Sequence, residues 1–223
     1  MYKGKTVLIT GASRGIGKSI ADHFCDNRAD VLGIHKTGGV GIDLSDPNQI
    51  VKYFEDHKDQ KIDILINNAA VLTSHYAVRI PLDKAIEMVM VDFMAVFLVT
   101  RECIRLMRNP TGRIINISSM AVALEPMGDS LYAACKAGIT KMNNIIAKEV
   151  AFSGITCNTL AVSAIETDML KQLNKDKIDD VINGLPIPRY AKMEDIMNVI
   201  DFFASPESDY ITAQTIYLGG VHE

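Results

Sequence analysis

The chain has 223 residues, of which 48% are hydrophobic and 22% charged, and this composition fits one globular α/β domain spanning residues 1–223. A formal net charge of −4 gives no electrostatic basis for binding nucleic acid or an anionic membrane, so we expect neither partner. The four cysteines are widely spaced and no histidine cluster accompanies them, which indicates neither a metal site nor a disulfide framework.

Residues 6–10 form a short apolar run that predicts a buried first strand. A strand that begins this early leaves no room for a signal peptide, and no apolar run reaches the length of a membrane span. We therefore expect a cytoplasmic protein.

The turn after this strand covers residues 10–17 and reads TGASRGIG, with a helix predicted over residues 15–27. Its glycines let the backbone turn tightly and approach a pyrophosphate, whose charge the N-terminus of the helix can meet. A glycine-rich turn between a strand and a helix is typical of a dinucleotide-binding site.

The connection that follows the second strand, predicted at residues 31–34, is unusually short. Only residues 36–39 separate that strand from a third apolar run at residues 40–44. A parallel pair normally needs a crossover of a dozen or more residues, so we predict that the helix at this position is missing. The adenosine end of any bound dinucleotide should then be unusually open.

Residues 62–67 predict another buried strand, and residues 82–107 predict a long helix that is apolar almost all round. A helix of this kind is too apolar to face water. We therefore expect a homo-oligomer, either a dimer or a tetramer.

Tyr132 and Lys136 form the most informative pair in the chain. One helical turn places them side by side, and an ammonium beside a phenol favours the phenolate and lowers the pKa of Tyr132. Ser118 and Ser119 end a strand predicted at residues 113–118, and Ser119 precedes Tyr132 by 13 residues. This arrangement predicts an enzyme with a poised proton donor.

Two further strands and an amphipathic helix complete the chain, at residues 155–161, 214–218 and 194–204 respectively. The alternation of strands and helices predicts a doubly wound α/β fold with a parallel sheet.

The combination of motifs resembles the short-chain dehydrogenase/reductase family over essentially the whole chain. The motifs are TGASRGIG at residues 10–17, NNAA at 67–70, the Ser119, Tyr132 and Lys136 set, and IETDM at 165–169. The sequences of residues 10–17 and 165–169 most resemble those of the 3-oxoacyl-[acyl-carrier-protein] reductases.

The resemblance implies a role for each matching residue. Ser119, chosen over Ser118 by the 13-residue spacing, would hold the substrate carbonyl, and Tyr132 would donate a proton to it. Lys136 would bind the nicotinamide ribose and acidify Tyr132. Cofactor contacts are implied for Gly11, Ser13, Arg14, Gly15, Ile16, Gly17, His35, Lys36, Asp43, Leu44, Asn67, Ala69, Tyr132, Lys136, Ile165 and Thr167. Among these, Asn67 and Ala69 would pack near the adenosine ribose, and Asp43 would meet the adenine amine.

The charges after the second strand predict which cofactor binds. An NAD enzyme usually places an acidic residue there to accept the ribose hydroxyls, and this chain has none. Arg14, His35 and Lys36 could instead surround a 2′-phosphate, so NADP(H) is favoured over NAD(H).

The chain departs from the pattern of the family at three places. Asp92 stands where the family usually has an Asn that helps to hold a water chain to the Lys, Ser163 follows Val162 in place of Pro-Gly, and Ala70 replaces a Gly. We count Asp92 among the catalytic candidates because a carboxylate there would stabilise a charged Lys136.

We predict an NADPH-dependent ketoreductase that acts on a small carbonyl compound or a 3-oxoacyl thioester. A dehydrogenase of a sugar, polyol or cyclic alcohol and an inactive NADP-binding relative remain open. The positions that match the basic carrier-protein docking residues are Pro110 and Ser153, although Arg105, Arg108 and Arg113 lie close by in the sequence.

Overall fold

A computed structural model describes residues 1–36, 40–107, 111–168, 170 and 175–222, and it leaves the side chains of Val40 and Lys177 undescribed. In this part of the chain no helix is both long enough and apolar enough to cross a membrane.

Seven strands of the described residues form one sheet in the order β3-β2-β1-β4-β5-β6-β7. Every neighbouring pair is parallel. The strands are β1 Thr6–Thr10, β2 Asp30–His35, β3 Val40–Gly41, β4 Ile64–Asn67, β5 Arg113–Ser119, β6 Thr156–Val162 and β7 Thr215–Tyr217. The central strands are buried on both faces, as their continuous apolar runs require, and the predicted doubly wound fold is confirmed.

Helices cover both faces of the sheet. They are α1 Gly15–Asp26, α2 Pro47–Asp56, α3 Leu82–Val89, α4 Ala95–Leu106, α5 Ala121–Leu124, α6 Ser130–Val150, α7 Lys175–Asn183 and α8 Met193–Ala204. Short 3-10 turns occur at Ala77–Arg79, Ala151–Ser153, Pro206–Ser208 and Leu218–Gly220. One apolar core joins α2, α4 and α6 to the sheet, and a second joins α1 and α8 to its other face.

The predicted absence of a helix between β2 and β3 is confirmed. β3 pairs in parallel with β2 through Ile34 opposite Val40 and His35 opposite Gly41, and too few residues lie between them for a helical crossover. The third strand is shorter than the predicted span of residues 40–44. The crossover helix comes after it instead, as α2, which begins at Pro47 and is capped by Asp46.

The helical segment predicted over residues 82–107 contains an irregularity. Between α3 and α4, Met90–Met94 forms a π-helical turn, in which each hydrogen bond spans one residue more than in an α-helix. Such turns re-aim the side chains that they carry. This one carries Asp92, which is completely buried.

Candidate active site

A cavity of about 800 Å³ opens along the carboxyl ends of the central strands. This edge, where the strand order reverses beside β1, is where doubly wound sheets bind ligands. The turn that follows β1 and the end of β2 line one part of the cavity, and Ser119, Tyr132 and Lys136 line another. We call these parts the nucleotide end and the reactive end.

The glycine-rich turn leaves space that a side chain would fill. A Cβ atom on Gly17 would stand 2.2 Å from the carbonyl oxygen of Gly11, so no larger residue fits there. Gly15 has a left-handed φ of +54°, and among the described residues a Cβ atom on it would meet only Thr167, at 3.8 Å. The backbone of Gly15 is therefore open to the cavity, as contact with a pyrophosphate requires.

The N-terminus of α1 supplies the matching electrostatics. Its N-cap residue, Arg14, makes no side-chain capping bond, and the first turn contains no acidic residue. The free N–H groups and the helix dipole therefore offer an anion site beside Ser13, Gly15 and Ile16, all of which line the cavity.

Arg14, His35 and Lys36 line the nucleotide end together, as do Asp43 and Leu44. The Nδ1 atom of His35 is buried with no hydrogen-bond partner among the residues that the structure describes, whereas the Nζ atom of Lys36 lies 2.7 Å from Oδ2 of Asp43. Lys36 and then Ser45 lower the pKa of Asp43 to about 2. Lys36, predicted to contact the adenosine phosphate, and Asp43, predicted to contact the adenine, therefore form an ion pair with each other. The set of glycines, uncapped helix and basic side chains fits NADP(H).

The structure does not place the side chain of Asn67 in the cavity. Its Nδ2 atom donates to Oγ1 of Thr100 at 2.9 Å and to Oδ1 of Asn116 at 2.8 Å, within the core. Successive strand residues face opposite ways, so Asn68 lines the cavity instead, and its Nδ2 atom donates to the carbonyl of Thr10 at 3.1 Å. Ala69 also lines the cavity, as predicted.

The predicted catalytic set comes together at the reactive end. Ser119 ends β5 and accepts a hydrogen bond from the backbone N–H of Ala121 at 3.1 Å. Tyr132 and Lys136 lie on α6, where the Nζ atom of Lys136 is 5.7 Å from the centroid of the Tyr132 ring and donates to the carbonyl of Ile117. Ser118 donates its hydroxyl to the backbone carbonyl of Lys136, so the alternative serine is already engaged.

The expected acidification of Tyr132 is not what the structure gives. Burial raises the pKa of Tyr132 above its ordinary value, and the charges of Asp92 and Asp129 raise it further. A hydrogen-bonding interaction with Ser119 acts in the opposite direction, but burial is the larger effect. Burial likewise lowers the pKa of Lys136, and Asp92 opposes that shift.

Asp92 approaches this set from the π-helical turn. Its Oδ1 atom accepts a hydrogen bond from the backbone N–H of Val71 at 2.8 Å, and its Oδ2 atom is buried with no partner in the part of the chain that the structure describes. Burial raises the pKa of the carboxyl group to about 6, although the charge of Lys136 and the Val71 N–H both lower it. Asp92 is therefore a titratable group behind the reactive end.

The backbone that follows β6 forms the wall beyond Tyr132. Ile165 and Thr167, which are predicted to contact the cofactor, line the cavity with Val162 and Ser163, whereas Met169 lies outside the described residues. Helix α7 also brings Ile178 and Val181 to the cavity.

Two of the three arginines considered for carrier-protein docking, Arg113 and Arg105, are engaged elsewhere. Arg113 is buried and donates to the backbone carbonyl of Ser205, and Arg105 lies 2.7 Å from Glu102. Arg108 and Pro110 lie outside the described residues.

Sequence reasoning missed three residues of the site. Thr10 accepts hydrogen bonds at 3.0 Å from the N–H groups of both Asn68 and Ala69, which fixes the strand ends. The alternation of side chains along a strand could have predicted that Asn68, and not Asn67, faces the cavity. Asp129 lines the reactive end, and its only sequence signal is its position three residues before Tyr132.

Comparisons with known proteins agree with this geometry. Residues 33–222 match a family model described as enoyl-(acyl carrier protein) reductase. The chain is 32% identical to the 3-oxoacyl-[acyl-carrier-protein] reductase FabG of Vibrio harveyi, with 98% of the chain and 97% of the relative covered. It superposes with a TM-score of 0.89 and 26% identity on a Burkholderia cenocepacia short chain dehydrogenase in complex with NADP, and 98% of each chain is covered. A putative NAD(P) dependent gluconate 5-dehydrogenase of Beutenbergia cavernae gives a TM-score of 0.90 at 26% identity, with 96% and 95% covered.

Proposed function

Because this chain belongs to the short-chain dehydrogenase/reductase family, we propose that it is an NADPH-dependent ketoreductase that interconverts a carbonyl group and a secondary alcohol. We further propose 3-oxoacyl thioesters as a substrate class, because relatives named for that reaction match nearly the full chain. The observation that carries the proposal is the gathering of Ser119, Tyr132 and Lys136 in the same cavity as the glycine-rich turn.

Each of these residues has a chemical task. When bound, NADPH supplies the hydride that converts the carbonyl carbon to an alcohol carbon. The Ser119 hydroxyl donates a hydrogen bond to the carbonyl oxygen, and the Tyr132 phenol donates the proton that this oxygen takes up. Lys136 stabilises the phenolate that remains, because its ammonium lies beside the ring.

Tyr132→Phe tests this assignment. Removing the proton donor should lower kcat by about 10²- to 10⁴-fold while the dissociation constant for NADPH changes little. NADPH oxidation is followed with acetoacetyl-CoA, ethyl acetoacetate and cyclohexanone, and cofactor binding by fluorescence titration.

The control is Tyr76→Phe, which removes a hydroxyl from an exposed ring outside the cavity and should keep full activity. Undiminished turnover in Tyr132→Phe would remove Tyr132 from the mechanism. NADPH binding without oxidation by any ketone would instead support a non-catalytic binding protein.

The matching family model favours a second candidate, reduction of an enoyl thioester, because its description names enoyl reductases. The two reactions differ in the atom that takes up the proton, which is oxygen in one and carbon in the other. Ser119 and Tyr132 present two hydroxyl groups suited to a single oxygen, which favours the carbonyl reaction. Crotonyl-CoA, added to the same assay, separates the two: faster reduction of crotonyl-CoA than of acetoacetyl-CoA would select the enoyl reaction.

We also propose that the protein self-associates through α3, α4 and α6. Most of the apolar side chains predicted to need a partner subunit are buried in the chain's own core. Leu82, Ile86 and Ile145 nevertheless remain more than half exposed, and Phe97 is partly exposed. A cluster of exposed apolar residues on adjoining helices is typical of an interface between subunits.

A further inference from the structure

The reactive end of the cavity is mainly apolar. Its described lining includes the side chains of Val71, Leu72, Met120, Leu124, Met127 and Val181. A substrate that fills this space must bury apolar surface against it. One acidic side chain, Asp129, stands among these residues close to Tyr132.

Asp129 occupies an N-cap position but does not cap its helix. Asp is a preferred N-cap residue because its carboxylate usually accepts a bond from the first turn, yet the Asp129 side chain makes no such bond with α6. Its backbone N–H donates to the carbonyl of Pro126 and its carbonyl accepts from the N–H of Ala133, whereas its Oδ1 atom has no hydrogen-bond partner among the described residues. Because Asp129 lines the cavity, its carboxylate has unused capacity to accept a hydrogen bond there.

No basic side chain in the described lining is placed to neutralise this carboxylate. Arg14, His35 and Lys36 belong to the nucleotide end. Lys136 donates to the carbonyl of Ile117, and the charge of Asp92 acts on it from the other side. The charge of Asp129 also reaches the proposed proton donor, since it acts on Tyr132. The reactive end is therefore negatively biased.

We propose that Asp129 determines substrate specificity: it accepts a hydrogen bond from an uncharged ketone that carries a hydroxyl or amide donor, and it excludes ketones that carry a carboxylate. The inference rests on the proposed ketoreductase function. A donor group on the substrate satisfies the Asp129 carboxylate, whereas a second carboxylate meets like charge among mainly apolar side chains. Hydroxyketones and the amide-bearing thioesters fit this requirement, and keto acids and sugar acids do not.

The test compares substrates of similar size that differ in this one group. NADPH oxidation is measured with 4-hydroxybutan-2-one, ethyl acetoacetate and acetoacetate, and kcat/KM is taken for each. In the unmodified protein, we expect kcat/KM for acetoacetate to be at least about tenfold below that for 4-hydroxybutan-2-one, because like-charge contacts are strongly unfavourable. Asp129→Asn should bring the two values to within about threefold, since an amide neither repels a carboxylate nor accepts as strongly.

Glu125→Gln is the matched control, since it removes one negative charge from an exposed residue of the same loop. It should leave the ratio of the two kcat/KM values unchanged. An unchanged ratio in Asp129→Asn, or equal use of acetoacetate by the unmodified protein, overturns the inference. The NADPH affinity and the thermal unfolding temperature of Asp129→Asn are measured to check that the variant is folded. If none of the three ketones is reduced, the ketoreductase assignment itself is contradicted. This result differs from an unchanged ratio, which contradicts only the role of Asp129.

Discussion

Asp92 is the residue whose ionisation couples most directly to the proposed proton donor. Its negative charge raises the pKa values of both Tyr132 and Lys136. Because its own pKa is raised to about 6, Asp92 is ionised at neutral pH and becomes protonated as the pH falls through that value. Below pH 6 the loss of this charge lowers the pKa values of both groups, so the Tyr132 phenol becomes the stronger acid and the phenolate left after proton transfer is less disfavoured.

Asp92→Asn should therefore remove an inflection from the pH–rate profile for ketone reduction. The inflection near pH 6 should disappear, because the group that titrates there is gone. The rate of the variant should stay level across this range, because no change of charge at residue 92 then alters the acidity of Tyr132. Initial rates between pH 5 and 8 measure it.

Asp83→Asn is the matched control for this profile, since it removes an exposed carboxylate from the same continuous helical segment. Its profile should coincide with that of the unmodified protein. An inflection near pH 6 that persists in Asp92→Asn would assign that inflection to another group.

For single residues, the sequence predicts which side chains form the site better than it predicts the pKa shifts that their surroundings cause. The spacing of Ser119, Tyr132 and Lys136 brings them to one cavity, because strand ends and helical turns fix their positions. The direction of the Tyr132 pKa shift was predicted wrongly, because it depends on burial and on Asp92 and Asp129. Neither burial nor a neighbour 40 residues away can be read from a local pattern.

The π-helical turn between α3 and α4 is the element that brings Asp92 to the site. Its Phe93 packs against α6 so closely that a Cβ atom on Gly138 would stand 3.0 Å from the Cε2 atom of the Phe93 ring. Glycine in the middle of a helix costs about 1 kcal/mol relative to alanine, so its presence here is explained by the close approach of the two helices.

Gly138→Ala should therefore destabilise the protein although alanine favours helix. Overpacking of a core costs about 1–3 kcal/mol, against which helix propensity returns about 1 kcal/mol, so we expect a net loss of up to about 2 kcal/mol. Urea unfolding monitored by circular dichroism measures it. Gly41→Ala is the control, since its added Cβ would lie an ordinary 3.5 Å from the nearest atom. A stabilised Gly138→Ala variant would mean that the Phe93 ring moves aside at little cost in free energy.

Elements were predicted where local signals are strong. The bounds of β1 and the loss of a helix after β2 follow from an apolar run and from the number of residues available. The π-helical turn was not predicted, because it changes no residue type and shifts the hydrogen-bond register by only one position. The helix α7 was missed because its few apolar residues, including Ile178 and Val181, stand in a polar segment.

On the scale of the whole molecule, both faces of the sheet are covered by the chain's own helices, so self-association must use what those helices leave exposed. Ile145 on α6 is 52% exposed, and α6 packs against α3 and α4.

Light scattering coupled to size exclusion should give a molar mass of two or four times the 24.5 kDa of one chain. Ile145→Glu should shift the mass towards that of one chain, because a buried unpaired charge opposes association. Val78→Glu, at a residue that is 93% exposed and outside these helices, should keep the larger mass. A single-chain mass for the unmodified protein contradicts self-association.

The buried amides of Asn67, Asn116 and Asn143 form a continuous chain from β4 through β5 to α6, and Asn143 then donates to the carbonyl of Cys157 on β6. Each amide serves as donor to the next, so replacing one by an apolar residue deprives its neighbours of partners inside the core. The evolutionary histories of these positions should consequently be correlated: a lineage that alters one has reason to alter the others, even though none of the three side chains lines the cavity.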